Sequence, residues 1–270
     1  MQIKIGIIGG TGLDQDSSIL QDRTMVTVPE TQFGYPSDTE LISGKIAGID
    51  CYILGRHGKN HDKSPSNVNY RANLWTFKEL GCTHVLATTA CGSLKEVLAP
   101  GQLAVIDQYI DRTNIRGGRS FFKVSHIPQP QPFDRKVQQI LVDSAKECGE
   151  IVHEKCTAVC IEGPRFSTLA ESKLYKSWGA DLVNMTLVPE VQLASELGLV
   201  YGSLALITDY DCWHSDELSV SVDLVMKMLQ TLAGKARSIL VRAIEKIAQE
   251  NWTEMIEKKR SIAKASIMVE

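Results

Sequence analysis

The run Ile3-Lys4-Ile5-Gly6-Ile7-Ile8 stops on Gly9-Gly10-Thr11-Gly12, and this transition constrains the chain more than any other feature. A short, β-branched apolar run reads as a buried strand, and the glycines turn the chain where the strand ends. The same grammar recurs at 41–46, 51–54, 85–89, 103–110, 158–161, 182–185 and 199–207, with helical patterns between. Strands alternating with helices predict an α/β fold.

Val68, Ala72 and Trp75 recur at helical spacing in a segment that closes at Gly81, and Pro189 opens a second helix that closes at Gly198. The longest pattern carries Val222, Val225, Met226, Leu229, Leu232, Ala236, Leu240, Ala243 and Ile247 on one stripe, with Lys, Arg and Glu opposite. That spacing predicts a long helix packed on the sheet. No repeat, low-complexity tract or long linker divides the chain, so 1–270 reads as one domain. The one compositional shift is 117–132, rich in Gly, Pro and Gln. Its three prolines resist both helix and ladder, which predicts a mobile surface loop of the kind that covers active sites.

With 270 residues and 43% apolar content, the chain can bury a sizeable core without staples. A charged fraction of 23% and a net charge of -3 exclude both a disordered acidic chain and a basic nucleic-acid footprint. No apolar run is long enough for a membrane span, and Met1-Gln2-Ile3-Lys4 leads into a glycine turn rather than into a cleavable apolar region. Seven cysteines lack CxxC pairs and zinc spacing, which predicts reduced, mostly buried thiols. The expectation is a soluble cytoplasmic protein, a nuclear location also being compatible, with neither nucleic acid nor membrane as a partner.

The chemistry-bearing residues gather at strand ends. Gly9-Gly10-Thr11-Gly12 fits neither the dinucleotide fingerprint nor a P-loop. It is either a bare turn or a nest of amides for an anion, with Thr11 adding a hydroxyl. Arg56-His57 follows another strand and Thr88-Thr89-Ala90-Cys91-Gly92-Ser93 a third. Taken singly these are surface loop and strand filler; repeated at strand ends they supply the donors an oxyanion needs. His57 and His61 lack a third ligand, so no metal is expected, and Cys156 and Cys160 read as small core residues. No G-x-S-x-G elbow occurs. Asp209 and Asp211 follow the apolar run 204–207, where two carboxylates at i and i+2 ordinarily cap or turn the chain. With Phe166 in the Glu162-Gly163-Pro164-Arg165-Phe166 loop, they could instead hold a planar heterocycle, the ring stacked and a carboxylic acid reading its nitrogen edge.

The runs IGIIGGTGLD, GRHGKNH, VNYRANLW, TTACGSL, IDQYIDRT, IEGPRFST, WGADLVNMT and TDYDCW together resemble the 5'-methylthioadenosine phosphorylases of the trimeric purine nucleoside phosphorylase family, over nearly the whole chain. TDYDCW distinguishes this branch from phosphorylases of 6-oxopurine nucleosides. The resemblance implies a single α/β domain around a central mixed, partly barrel-like sheet flanked by helices, assembled as a homotrimer with sites near subunit interfaces. It implies a phosphate site of Thr11, Arg56, His57, Thr89, Ala90 and Thr186, with Met185 facing the ribose. Phe166, Asp209 and Asp211 would hold adenine. Val222, Val225, Met226 and Met268 would form the alkylthio pocket, with His126 entering from a neighbouring subunit. Between Ser120-Phe121-Phe122 and His126-Ile127-Pro128 the chain is shorter than the family's usual loop.

The implied reaction is phosphorolysis of 5'-methylthioadenosine in purine and methionine salvage, with inorganic phosphate as co-substrate and no metal or organic cofactor. Adenine leaves poorly unless a proton or strong hydrogen bond reaches N7. Asp209 is the candidate donor if burial and Asp211 raise its pKa, and Asp211 could accept from the exocyclic amine, although the two roles could be exchanged. The rival enzyme reading is a phosphorylase of 6-oxopurine nucleosides. A nucleotide-binding oxidoreductase and a noncatalytic nucleoside-binding protein stand as readings from other classes.

Overall fold

The stretch from His84 to Thr89 is buried residue after residue, as is every position from 200 to 209. Such runs do not alternate because both faces of these strands are covered. The computed structural model describes residues 2–9, 20–214 and 220–270. In chain order the elements are β1 (Lys4–Gly9), β2 (Gln21–Thr27), β3 (Glu40–Ile46), β4 (Ile49–Gly55), α1 (Tyr70–Glu79), β5 (His84–Ser93), β6 (Leu103–Arg112), β7 (Val124–Ser125), α2 (Arg135–Glu147), β8 (Val152–Ile161), α3 (Leu169–Ser177), β9 (Leu182–Asn184), α4 (Leu187–Glu196), β10 (Val200–Asp209), α5 (Val222–Ala248), α6 (Thr253–Ala265) and β11 (Ile267–Val269).

Nine strands form one sheet in the order β10-β6-β8-β9-β5-β1-β4-β3-β2, and β10 also pairs with β5. That extra pairing closes β10, β6, β8, β9 and β5 into a ring, from which β1, β4, β3 and β2 extend as an open sheet. The expected mixed, partly barrel-like α/β fold is therefore present. One core lies under α2, α5 and the Trp252–Ile256 end of α6, and a second under α1 and α4.

Local chemistry sets the helix boundaries. Asn69 caps α1 by accepting from Ala72 N, so Val68 precedes the helix instead of opening it, while Ala72, Leu74 and Phe77 are its buried face. Ser221 caps α5 by accepting from Leu224 N. The apolar stripe of α5 divides: Leu229, Leu232, Ala236, Leu240, Ala243 and Ile247 are core, whereas Val222 is 65% exposed. β2 escaped the sequence reading because it is an edge strand with little burial to impose a pattern.

The 117–132 segment departs from the expected mobile cover. Ser120 Oγ and Phe121 N donate to Glu196 at 2.8 and 2.9 Å, and the Phe121 ring packs against Phe33 and Trp75. Gln108 Nε2 binds Pro130 O at 3.0 Å. Side-chain anchors replace the ladder bonds that prolines cannot make.

Candidate active site

β1 runs parallel to β4 and β5, and β5 parallel to β10. Four strands therefore end at one edge of the sheet, the geometry in which open α/β sheets bind ligands. Arg56 N bonds Gly9 O at 3.1 Å, joining the ends of β1 and β4 there. A cleft of ≈ 470 Å³ lies at this edge. Arg56, His57, Thr89, Ala90, Thr186, Met185, Phe166, Asp209, Asp211, Val222, Val225 and Met226 all line it. Thr11 lies outside the described residues.

One end of the cleft is built for an anion. Arg56 is 2% exposed and places its guanidinium among fixed acceptors. Thr186 precedes α4 without using its hydroxyl as a cap. Its Oγ1 lies 3.3 Å from Thr89 Oγ1, and the extended backbone of Val188 (φ -106, ψ 132) separates it from the regular part of α4. His57 Nδ1 lies 2.8 Å from Lys63 O. A carbonyl only accepts, so Nδ1 carries the proton and Nε2 is an acceptor. Burial, and then the charge of Arg56, lower the His57 pKa to about 4, so the ring is neutral at pH 7.

The other end holds two carboxyl groups at the last turn of β10. Asp209 Oδ2 accepts the Thr208 hydroxyl at 2.7 Å and Oδ1 accepts Asp211 N at 2.8 Å. The ordinary Asx turn is thus present, and both carboxylates nevertheless face the cleft. Burial raises the pKa of Asp209 against these two donors. Burial also raises that of Asp211, against the Ser172 hydroxyl and helped by the charge of Asp209. Asp211 adopts a left-handed backbone (φ 51), which short polar side chains tolerate, and its carboxyl lies beside the Ser172 and Ser167 hydroxyls. Gly92 is required beside them, because a Cβ there would stand 2.8 Å from Asp209 Oδ1.

Phe166 presents its ring, 37% exposed, to the same space. The rest of its loop is structural: Glu162 accepts from Ser66 Oγ, Asn114 N, Ile115 N and Arg116 Nε, while Arg165 pairs with Glu171. Val222, Val225 and Met226 form an apolar wall from the first turns of α5.

The structure separates Met268 and His126 from this cleft. β11 pairs with β7, and His126 N donates to Ser266 O at 2.9 Å, so the two residues belong to one small two-stranded unit. Met268 is 70% exposed. Within one chain neither Met268 nor His126 is among the residues that line the cleft.

Three cleft features escaped the sequence reading. Asn184 is 3% exposed, donates Nδ2 to Thr89 Oγ1 at 3.2 Å and leaves Oδ1 unpartnered. Ser167 joins the wall beside Phe166. Glu190 is fully buried behind Arg56. Only Glu190 left a signal, a charged residue inside an apolar helical pattern. Among the described residues, no group of three or more His, Cys, Asp or Glu could hold a metal ion, and all seven cysteines are free.

A family model for the phosphorylase superfamily matches residues 4–245. The chain belongs to the phosphorylase superfamily. It is 50% identical to the S-methyl-5'-thioadenosine phosphorylase of Xenopus tropicalis over 99% of this chain and 97% of that one. It is also 50% identical to the enzyme of that name from Danio rerio, with the same coverage. Among solved structures, the methylthioadenosine phosphorylase from Schistosoma mansoni in complex with adenine superposes with a TM-score of 0.94 at 42% identity, covering 99% of both chains. A point mutant of the adenosine/methylthioadenosine phosphorylase from the same organism, in complex with methylthioadenosine, gives 0.91 at 41%, again over 99% of both chains. As a phosphorylase of this superfamily, the chain is an enzyme that transfers a glycosyl group, and no helix among its described residues is long and apolar enough to cross a membrane.

Proposed function

We propose that this chain cleaves 5'-methylthioadenosine with inorganic phosphate, giving adenine and 5-methylthioribose 1-phosphate, in purine and methionine salvage. The observation that carries this reading is one cleft with an arginine-threonine end for an anion and, in the same cleft, a buried Asp209 and a half-buried Asp211, both of raised pKa. The names of the relatives and the methylthioadenosine and adenine bound by the Schistosoma enzymes support it.

Phosphate is the co-substrate, and no metal or organic cofactor takes part. Arg56, Thr89, Thr186, the Ala90 backbone and Thr11 hold the anion beside C1', with His57 Nε2 accepting from a protonated phosphate oxygen, as the glycosidic bond lengthens and the ribose becomes cation-like. The bonding pair leaves with the purine, a phosphate oxygen bonds to C1', and the Asp209 proton neutralises N7. Asp211 accepts from the exocyclic amine. Phe166 stacks on the base and Met185 lies under the ribose. Residues 1–270 act as one catalytic unit in a cytoplasmic homotrimer. There, His126 and Met268, carried together on the β7–β11 unit, reach the alkylthio wall of a neighbouring subunit.

A phosphorylase of 6-oxopurine nucleosides would use the same anion end but offer an amide to the base. Two carboxyl groups favour the 6-amino reading. The test is nucleoside profiling with phosphate present. Methylthioadenosine consumed in preference to adenosine, with inosine inert, supports the proposal; inosine as the best substrate overturns it.

A further inference from the structure

Glu190 is 0% exposed and lies in the first turn of α4, directly after Pro189. Its Oε2 accepts Arg56 Nε at 2.6 Å, and its Oε1 accepts both Arg56 Nη2 at 2.9 Å and the Tyr201 hydroxyl at 2.7 Å. Arg56 Nη1 donates to Thr88 O at 3.1 Å. Tyr201, on β10, is 1% exposed and packs against the Phe133 ring. This network lies behind the cleft, and the proposed reaction gives Glu190 no contact with either substrate.

A buried ion pair is poor evidence for stability, because well-packed apolar residues would serve the core as well or better. Donor arithmetic gives it a different use. A guanidinium has five N–H groups, and three are spent on Glu190 and Thr88. Two, one on Nη1 and one on Nη2, have no partner among the described residues, on a side chain that lines the cleft beside Thr89 and Thr186. The fork between Nε and Nη2 removes rotation about the end of the side chain, so these two donors keep a fixed direction.

Resting on the phosphorolytic reading above, we propose that Glu190, itself held by Tyr201, is a positioning residue that fixes Arg56 so that its two unspent N–H groups face phosphate. The proposal has a sign that charge alone would reverse. Removing a carboxylate next to an anion site raises the local positive potential, which by Coulomb's law strengthens anion binding. Positioning predicts the opposite.

The experiment is calorimetric titration of the purified full chain with inorganic phosphate, and separately with adenine, for the parent, Glu190→Gln, Tyr201→Phe, Arg56→Lys and the Arg56→Lys/Glu190→Gln double variant. Glu190→Gln is expected to weaken phosphate binding roughly tenfold or more, the scale of one charge-assisted hydrogen bond, while adenine affinity stays within about twofold, a small shift by the same scale. Tyr201→Phe falls between, and Glu190→Gln adds little once Arg56 is lysine. A folded Glu190→Gln variant that binds phosphate as tightly as the parent, or more tightly, overturns the proposal. If that variant does not fold, Tyr201→Phe, which removes only a hydroxyl, decides by the same comparison. A parent that binds no phosphate overturns the functional reading and this proposal together, whereas a phosphate-binding parent with indifferent variants overturns this proposal alone.

Discussion

Asp209 and Asp211 are linked head to backbone: Oδ1 of the first accepts the amide N–H of the second at 2.8 Å. The bond ties the two residues together at the cleft, and the other oxygen of Asp209 accepts from the Thr208 hydroxyl. Asp209→Asn keeps the shape but removes the acidic proton. The efficiency with methylthioadenosine should fall on the order of 10²–10⁴-fold, the usual loss for a general acid, and far more than that with methylthioinosine, whose 6-oxo edge an amide can pair. Steady-state kinetics on both nucleosides check this, with circular dichroism confirming the fold. An Asn variant with the parent's rate and 6-amino preference would make Asp209 a turn residue only.

The same carboxyl group sets a pH dependence. Burial holds the Asp209 pKa above its ordinary 3.8, so the group is neutral in both folded and unfolded chains at low pH, and the folded chain is penalised once it ionises. Stability present below 3.8 is therefore lost as pH rises through the folded value. Asp209→Asn should gain stability relative to the parent over that window, and the alkaline fall in the parent's activity should disappear in the variant. His57 acts with the opposite sense. Its pKa is depressed from 6.5 to about 4, so its contribution is intact above 6.5 and is lost as pH falls toward 4, by on the order of 3 kcal/mol at most. Urea denaturation of the parent, Asp209→Asn and His57→Gln between about pH 4 and 8 reads both slopes.

Arg56→Ala should raise the phosphate requirement about ten- to a hundred-fold, the cost of a charge-assisted bond, with a smaller effect on the nucleoside requirement. It also strands Glu190 as an unpaired buried charge, so destabilisation of about 3–5 kcal/mol is expected. Kinetics with both substrates varied, at a temperature where the variant is folded, separate the two effects. Unchanged phosphate dependence would remove Arg56 from the anion site.

In the same cleft, the Val222, Val225 and Met226 wall should prefer a thioether to a 5'-hydroxyl by about 1–3 kcal/mol, the range of one small apolar group. Adenosine should react less well than methylthioadenosine, and Val225→Ser should narrow the gap. Equal efficiencies for the parent would count against the pocket. Sedimentation of a monomer that keeps full activity would contradict a neighbour's role for His126 and Met268.

Much of the site was legible because parallel strands deliver their ends to one edge, and each end carried its chemistry in sequence: Arg56-His57 after β4, Thr89-Ala90 in β5, Asp209 at the end of β10. The closure of the ring was not legible from periodicity, since it depends on β10 pairing with both β5 and β6. The signal that Glu190 left had an ordinary explanation in its neighbour, because an acid just after a helix-opening proline complements the helix dipole. Asn184 gave no pattern at all; its role comes from β9 lying beside β5. The β7–β11 unit that carries His126 and Met268 was not legible, because a short apolar segment says nothing of which strand it will pair with, and β7 is too short to announce itself.

Incubating the purified chain with methylthioadenosine, with and without inorganic phosphate, and following products by ³¹P NMR and chromatography tests the central claim most directly. The account predicts adenine and a ribosyl 1-phosphate in equal amounts, only when phosphate is present. Adenine appearing without phosphate, together with free methylthioribose, would contradict it and make water the nucleophile.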